Sequence, residues 1–177
     1  MSRSKKEKRA VHLQFGALPY RFSKADALEV LLITSRDTHR WIIPKGWPIK
    51  GMKPAKSAAR EAYEEAGVRG VVAGKAIGTF RYDKRLDDKS GAVPCEVRVF
   101  ALLVKRQLKT WPEANERELR WSTPADAISL VGEEGLRQLI NIFTAKKTGA
   151  ESWTSEWRCS SNISRPNEQS PPGDGAG

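Results

Sequence analysis

Cysteine and histidine are scarce in this 177-residue chain, and each scarcity argues against a class of protein. The two cysteines, Cys95 and Cys159, are too few for the disulfide framework of a small secreted domain. The two histidines, His12 and His39, do not form the spaced cluster of ligands that a zinc site requires. We therefore expect a reducing, cytoplasmic setting and no zinc centre.

Long apolar segments are lacking as well. No apolar run approaches the roughly 20 residues that a membrane-spanning helix needs. The N-terminal residues are charged, whereas a signal peptide requires an apolar stretch there. The sequence thus predicts no membrane association.

Positive charge, by contrast, is in excess. The chain has 31 Lys and Arg against 21 Asp and Glu, a formal net charge of +10 at pH 7. An imbalance of this size suggests an anionic partner, which could be a phosphate-rich small molecule, a nucleic acid or an acidic surface. Composition does not choose among these, and it leaves the oligomeric state unknown.

The composition changes near both ends of the chain. Residues 1–8 form a basic arm, and from residue 149 the sequence turns to Ser, Pro, Gly and Asn. Between them, a hydrophobic content of 39% for the whole chain and several Trp suffice for one packed core. We predict a folded domain at 9–148 and a disordered tail at 149–177.

Hydrophobic periodicity predicts strands separated by few helices. The predicted strands are 11–21, 28–34, 41–44, one or two within 68–82, 95–104 and 116–122, with a polar hairpin connection at 83–94. The predicted helices end before Gly67, begin at Pro124 after Thr123, and span 133–147. This order predicts an α+β fold, with one curled mixed sheet between helices in an α/β/α sandwich.

The segment 46–68 is a glycine- and proline-bent loop that leads into the first helix. Glu61, Glu64 and Glu65 are spaced i, i+3 and i+4, so their carboxylates share one helix face and repel each other. A hard divalent cation bound through oxygen atoms would relieve this repulsion. The opposite face is small and apolar enough to pack on a sheet; it consists of Ala58, Ala59, Ala62 and Ala66.

This segment resembles the Nudix box, whose pattern is G-x(5)-E-x(7)-R-E-U-x-E-E-x-G-U, with U a bulky apolar residue. The matching residues are Gly46, Arg60, Glu61, Glu64, Glu65, Gly67 and Val68. Ala62 is a small version of an apolar position, and Met52 stands where the pattern has its first glutamate. Seven matches at fixed spacing are far more specific than a short glycine motif.

The resemblance implies a Nudix fold and hydrolysis of a nucleoside diphosphate linked to another moiety, or of a related pyrophosphate. It implies that Mg²⁺ or Mn²⁺ is bound by the carboxylates of Glu61, Glu64 and Glu65 and by the backbone carbonyl of Lys45. Arg60 would orient these carboxylates by pairing with Glu64, one helical turn away.

The resemblance leaves the general base open. Glu61 serves in some family members, whereas others use a glutamate from a later loop. The candidates in that later loop are Glu113 and Glu116, beside Trp111.

The replacement by Met52 has two interpretations. In the first, the missing glutamate changes only the number of metal ions bound or the preferred ion, because the glutamate at this position contributes less to the metal site than the helical cluster does. Alternatively, the site has lost activity and binds a ligand. The same loop contains no acid but carries Lys50, Lys53 and Lys56, which would suit a polyanionic substrate.

The flanking sequences resemble the diphosphoinositol polyphosphate phosphohydrolase subfamily, at Lys8-Arg9-Ala10, at Ser35-Arg36, at residues 40–44, and at Trp111 with Arg117 and Trp121. That subfamily cleaves diphosphoinositol polyphosphates and long dinucleoside polyphosphates. Such phosphate-rich substrates suit basic side chains. The predicted substrate-binding residues are Arg9, Arg36, Arg40, Lys45 and Lys50.

Two other functions stay open. One is hydrolysis at RNA 5′ ends or of nucleotide sugars, and the other is a Nudix-like module that binds a ligand without cleaving it. Nucleic-acid binding is possible but not favoured, because an RNA-binding face would carry exposed aromatics among its basic residues, whereas most Trp here occupy positions compatible with a core.

Overall fold

The computed structural model describes residues 10–87 and 91–149, without the side chains of 85–87. The predicted arm at 1–8, the predicted ligand Arg9 and the tail beyond Gly149 lie outside the described residues. The chain divides into two units, 1–144 and 145–177. The described residues of the second unit belong to the end of the last helix and the turn after it.

Eight strands and three helices make up the described part of the chain. The strands are β1 (His12–Phe22), β2 (Leu28–Thr34), β3 (Trp41–Ile42), β4 (Lys45–Gly46), β5 (Val68–Val72), β6 (Gly78–Asp87), β7 (Gly91–Gln107) and β8 (Leu119–Ser122). The helices are α1 (Pro54–Ala66), α2 (Pro124–Leu130) and α3 (Glu134–Thr148). Among the described residues, no helix is both long enough and apolar enough to cross a membrane.

The strands form one mixed sheet in which β1 and β7 pair in parallel and all other pairs are antiparallel. The main order is β3-β2-β1-β7-β5, while β4 pairs with β1, β6 with β7 and β8 with β2. One edge of β7 is shared, because β6 pairs with its first half and β5 with its second. The sheet therefore forks.

Alternating residues of β2 pack into two separate apolar layers. Val30 and Leu32 pack in the layer that contains the buried residues of α2 and α3. Leu31 and Ile33 pack in the layer that contains the alanines of α1. Since side chains alternate across a strand, this places helices on both faces of the sheet. The predicted α/β/α sandwich is confirmed.

Helix α1 packs on the sheet through small side chains. Ala58, Ala62 and Ala66 are fully buried, as predicted, in the same layer as Phe100. Ala59 is only half-buried, and the apolar face continues instead through a buried alanine one turn earlier, at position 55. Small side chains let the helix axis approach the sheet closely, which holds its opposite, acidic face in a fixed position.

The structure also departs from the predicted strand boundaries. The polar segment 83–94 is not a long connection, because β6 continues to Asp87 and β7 begins at Gly91. Pairing between the two strands overrides their polar composition. Strand β4 was predicted as loop, since two residues are too few to show a periodic pattern.

The C-terminus of α1 depends on a glycine. Gly67 adopts the left-handed conformation, with φ of 66°, and its N–H donates to the carbonyl of Tyr63. A Cβ atom at this position would lie 2.6 Å from the ring of Trp111. The glycine therefore allows both the helix end and the close approach of the loop that carries Trp111.

We expect Gly67→Ala to lower the free energy of unfolding by at least about 1–2 kcal/mol, the cost of a left-handed non-glycine residue. Urea denaturation would measure the loss. Gly74→Ala is the matched control, because a Cβ there meets no atom within 4 Å and its φ is not in the left-handed region. Equal losses in the two variants would contradict this role for Gly67.

Candidate active site

A polar cleft of about 1220 Å³ lies beside α1. Its walls come from β1, β4, α1, β6 and the connections after β2, before β8 and before α3. Both acidic and basic side chains line it. The charged residues that line it are Arg36, Asp37, Arg40, Lys45, Glu61, Glu64, Glu65, Asp83, Lys84, Glu113, Arg117 and Glu133.

The three glutamates of α1 all line this cleft, as their spacing predicts. Glu65 is the most enclosed, with its side chain 9% exposed, and its Oε2 accepts from the backbone N–H of Lys45 at 3.0 Å. Glu64 accepts from Nε of Arg60, in the i, i+4 pair expected from the sequence.

The third carboxylate, that of Glu61, lies directly against the backbone of β4. A Cβ atom on Gly46 would come within 2.2–2.3 Å of the Glu61 carboxylate group. A larger residue at this position would displace the Glu61 carboxylate from the place that it occupies, which links the first glycine of the motif to a glutamate fifteen residues later.

Burial and like charge both act on the protonation of this acidic face. Burial, and to a smaller extent the neighbouring carboxylates of Glu65 and Glu64, together raise the pKa of Glu61 to about 7. Burial also raises the pKa of Glu65, although Arg117 and Lys45 oppose that rise. The acidic face therefore has less positive charge around it than three ionised carboxylates need.

The acidic face of α1 provides the ligand atoms that a divalent cation requires. Carboxylate oxygens are the ligands that Mg²⁺ and Mn²⁺ prefer, and a cation would relieve the repulsion that raises the pKa of Glu61. Within the described residues, no three acidic, Cys or His side chains already form a metal-binding group. Glu64 and Glu65 are instead paired with arginines. The donor chemistry fits a divalent cation, but the carboxylates are not arranged as a preformed cage.

Arg117 lines the cleft and connects three elements of the structure. Its side chain is only 5% exposed, and its guanidinium donates to the carboxylate of Glu65, to the carboxylate of Glu113 at 2.8 Å and to the carbonyl of Thr34 at 2.9 Å. These contacts join α1, the end of β2 and the loop before β8. The sequence analysis did not propose Arg117 as a site residue, although its i, i+4 spacing from Glu113 was a usable signal.

Three of the five predicted substrate-binding residues line the cleft. Arg36 forms an ion pair with Glu116 at 3.2 Å, and Arg40 forms one with Glu133 at 3.5 Å. Lys45 is buried, which lowers the pKa of its ammonium, and its Nζ lies 5.0 Å from the ring centroid of Tyr82.

The other two predicted residues are not brought to the cleft. Lys50 is exposed and does not line it. Arg9 lies outside the described residues.

The loop before β8 brings one of its two candidate bases into the cleft. Glu113 lines the cleft, and its backbone N–H donates to the carbonyl of Glu64 at 3.1 Å, so this loop packs on α1. Glu116 does not line the cleft and pairs with Arg36 at its edge. The identity of the base stays a prediction.

Met52 does not line the cleft that the three carboxylates line. It lines a separate groove of about 370 Å³ together with Lys56, Arg60, Tyr63 and Arg69. The guanidinium groups of the two arginines lie 5.5 and 4.5 Å from the ring centroid of Tyr63. A glutamate at position 52 would therefore join this basic groove and would not line the cleft.

Several residues of the cleft were not predicted from the sequence, among them Glu133. The sequence predicted Glu133 as the first residue of the last helix, but α3 begins at Glu134. The backbone carbonyl of Glu133 accepts from the N–H groups of Leu136 and Arg137. The side chain, 10% exposed, lines the cleft and pairs with Arg40. The sequence also did not predict three other residues that line the cleft, Tyr82, Lys84 and Gln14, because no local motif connects them to the site.

A family model described as the NUDIX domain matches residues 11–141. The chain belongs to the Nudix family. This Nudix chain is 33% identical over 144 residues to "Nudix hydrolase 12, mitochondrial" of Arabidopsis thaliana, covering 72% of the chain and 70% of that protein. It is 35% identical over 106 residues to human "Diphosphoinositol polyphosphate phosphohydrolase 3-alpha", covering 58% of the chain and 60% of that protein.

Solved structures give the same architecture. The binary complex of C. elegans Ap4A hydrolase superimposes with a TM-score of 0.59 at 22% identity, over 78% of this chain and 99% of that one. At this identity the likeness concerns the fold alone. The predicted Nudix fold and the assignment as a Nudix hydrolase are confirmed, while the domain boundaries at 9 and 148 and the cytoplasmic setting stay predictions.

Glu61 is a predicted metal ligand, and its raised pKa would then make metal binding depend on pH. A carboxylate must be deprotonated before it can bind a metal ion, and Glu61 keeps its proton up to about pH 7. We therefore expect Mn²⁺ affinity to rise by up to about tenfold per pH unit below that value and to level off above it. Titration of Mn²⁺ followed by electron paramagnetic resonance from pH 5.5 to 8.5 would measure this. Glu61→Gln should bind weakly with a much flatter profile, and a flat profile in the unmodified protein would contradict the expectation.

The contacts of Arg117 predict a large effect on stability. Arg117→Met leaves two carboxylates without their buried partner and should cost about 3–5 kcal/mol of unfolding free energy at pH 7.5. The loss should shrink at pH 5, because burial already favours the protonated form of Glu65. Arg120→Met, at an exposed position on β8, is the control in the same urea titrations. A loss that does not change with pH would argue that packing, not charge, explains the role of Arg117.

Proposed function

We propose that this Nudix hydrolase is a metal-dependent pyrophosphohydrolase that cleaves a phosphoanhydride bond by attack of water on phosphorus. Its proposed substrate is a polyphosphorylated small molecule, such as a diphosphoinositol polyphosphate or a dinucleoside polyphosphate. The observation that carries the proposal is one cleft in which three helical glutamates face a set of arginines and lysines.

The acidic side of the cleft supports metal-assisted chemistry. Glu61, Glu64 and Glu65, with the backbone carbonyl of Lys45, would hold Mg²⁺ or Mn²⁺. When bound, such an ion supplies charge neutralisation on the diphosphate and lowers the pKa of a coordinated water. The chain's own contribution is to position the carboxylates, which Arg60 and Arg117 keep on the cleft side of α1.

The basic side of the cleft supports a phosphate-rich substrate. Arg36 and Arg40 each hold an acidic partner near the protein surface, so a phosphate group can compete for their guanidinium groups. An arginine can bind two phosphate oxygens at once, whereas Lys45 and Lys84 supply point charges. Substrate binding by Arg9 and Lys50 stays a prediction from the sequence.

A proton acceptor for the attacking water is available in two places. Glu113 lines the cleft, and its orientation is fixed by Arg117. Glu61 has a pKa of about 7, which suits proton transfer near neutral pH. We favour Glu113, because Glu61 would be engaged by the metal ion, and we do not favour Glu116, which pairs with Arg36 at the edge.

The similarity to a human diphosphoinositol polyphosphate phosphohydrolase and the fold shared with an Ap4A hydrolase are consistent with this substrate class. The position of Met52 outside the cleft supports an active enzyme over a weakened binding module. The alternatives are hydrolysis of nucleotide sugars or RNA 5′ ends.

We expect Glu64→Gln to abolish metal-dependent turnover without unfolding the protein, because it removes a metal ligand at a cleft position where an amide has similar size. Turnover would be measured with Mg²⁺ and Mn²⁺ on diadenosine hexaphosphate, a diphosphoinositol polyphosphate, nucleotide sugars and 5′-capped RNA. Glu118→Gln, at an exposed position before β8, is the control.

Full activity in Glu64→Gln would contradict the metal assignment. Cleavage of the nucleotide sugars or the RNA alone would move the function to the alternative class. Binding of polyanions without cleavage by the unmodified chain would favour the non-catalytic module.

A further inference from the structure

One oxygen of the cleft lacks a hydrogen-bond donor. Among the described residues, Oε2 of Glu133 is buried and has no hydrogen-bond partner, while Oε1 lies 3.5 Å from Nη1 of Arg40. The side chain is 10% exposed and lines the cleft. Its backbone carbonyl accepts the first hydrogen bonds of α3, so its main chain is fixed beside the cleft.

The charge of Glu133 is compensated, but its hydrogen-bonding capacity is not. Arg40 pairs with it, and Lys45 is near enough to interact with it electrostatically. A buried acceptor without a donor is destabilising, and more so when it is charged. Glu133 lines the cleft, and a rotation of its side chain that turns this oxygen toward the cleft would let it accept a hydrogen bond from a donor carried by the ligand.

A second feature of the cleft suits a planar group. Trp47 lines the cleft but is 42% exposed, which is unusual for so large an apolar side chain. Its ring lies edge-to-face with His12 at 6.0 Å, and Nζ of Lys84 lies 4.9 Å from its centroid. An exposed indole next to positive charge is a stacking surface for a nucleobase attached to phosphates.

We propose that Glu133 accepts a hydrogen bond from a hydroxyl or amino group in the nucleoside part of the substrate and thereby selects dinucleoside polyphosphates over diphosphoinositol polyphosphates. This inference rests on the proposed pyrophosphohydrolase function and narrows its substrate class.

The chemistry of the two substrates explains the selection. A nucleoside carries ribose hydroxyls and often an exocyclic amine, each of which can donate to a carboxylate. A fully phosphorylated inositol ring has a phosphate on every carbon and no hydroxyl donor. A phosphate group offers no donor to Glu133 and would leave its oxygen without a hydrogen bond, which disfavours the inositol ligand.

The test is a thermodynamic cycle that removes the Glu133 carboxylate from the protein, the hydrogen-bond donor from the substrate, or both. Glu133→Ala is compared with Glu134→Ala, which removes the same charge from the next residue, where the side chain is 69% exposed and pairs with Arg137. Each protein is assayed for kcat/KM with diadenosine tetraphosphate, with its 2′-deoxy and 3′-deoxy analogues, with the diinosine analogue and with a diphosphoinositol polyphosphate. Kd values of methylene-bridged forms of the nucleotides are measured in parallel.

We expect Glu133→Ala to lose about tenfold to a hundredfold on diadenosine tetraphosphate, the value of a hydrogen bond to a charged group. It should lose little on whichever analogue lacks the donor, and its activity on the inositol substrate should hold or rise. Coupling to a deoxy analogue identifies a hydroxyl donor, and coupling to diinosine identifies the amine. Both outcomes support the inference.

Equal losses on every nucleotide, or the same pattern in Glu134→Ala, would overturn the inference. A preference of the unmodified protein for the inositol substrate would also overturn it. The proposed function fails separately, if the unmodified protein cleaves none of these substrates. The Kd series still decides the role of Glu133 in that case, because it requires no cleavage.

Discussion

Three carboxylates on one face of α1 repel each other, and much of the surrounding structure compensates for that repulsion. Glu64 is paired with an arginine one helical turn away, and Glu65 receives both a backbone N–H from β4 and a buried guanidinium. Among the described residues, Glu61 has no comparable cation, and burial together with its neighbours raises its pKa to about 7. A structure that neutralises two acids and leaves the third partly uncompensated keeps a place where a cation is favourable.

The ion pairs that compensate the carboxylates also connect the site to the rest of the fold. Arg117 reaches α1, the end of β2 and the loop that carries Glu113, so one side chain fixes the relative positions of the acidic helix and a candidate base. The alanine face of α1 and the glycine at position 46 provide the close approach that this arrangement needs. Breaking a buried ion pair by removing one partner is costly, and the site is therefore also a stabilising element of the domain.

Local patterns predicted what depends on local spacing. The acidic face of α1, its end at Gly67 and the Arg60–Glu64 pair follow from i, i+3 and i+4 geometry, and strand β2 follows from its continuous apolar run. Contacts between distant segments were not predictable in this way. The two-residue strand β4 exists because it pairs with β1, and Glu133 enters the cleft because of where α3 packs. Neither leaves a periodic signal in the sequence.

The departure at Met52 shows why position must be known before a missing motif residue is interpreted. By sequence alone, the loss of a glutamate from the box suggests a weaker metal site. In the structure, Met52 lines a groove with Arg60, whose partner Glu64 belongs to the cleft. An acid at position 52 would line the same groove as Arg60 and would add a second carboxylate to the surroundings of that arginine. Methionine leaves that arginine committed to Glu64, and an active site without the first glutamate is therefore physically consistent.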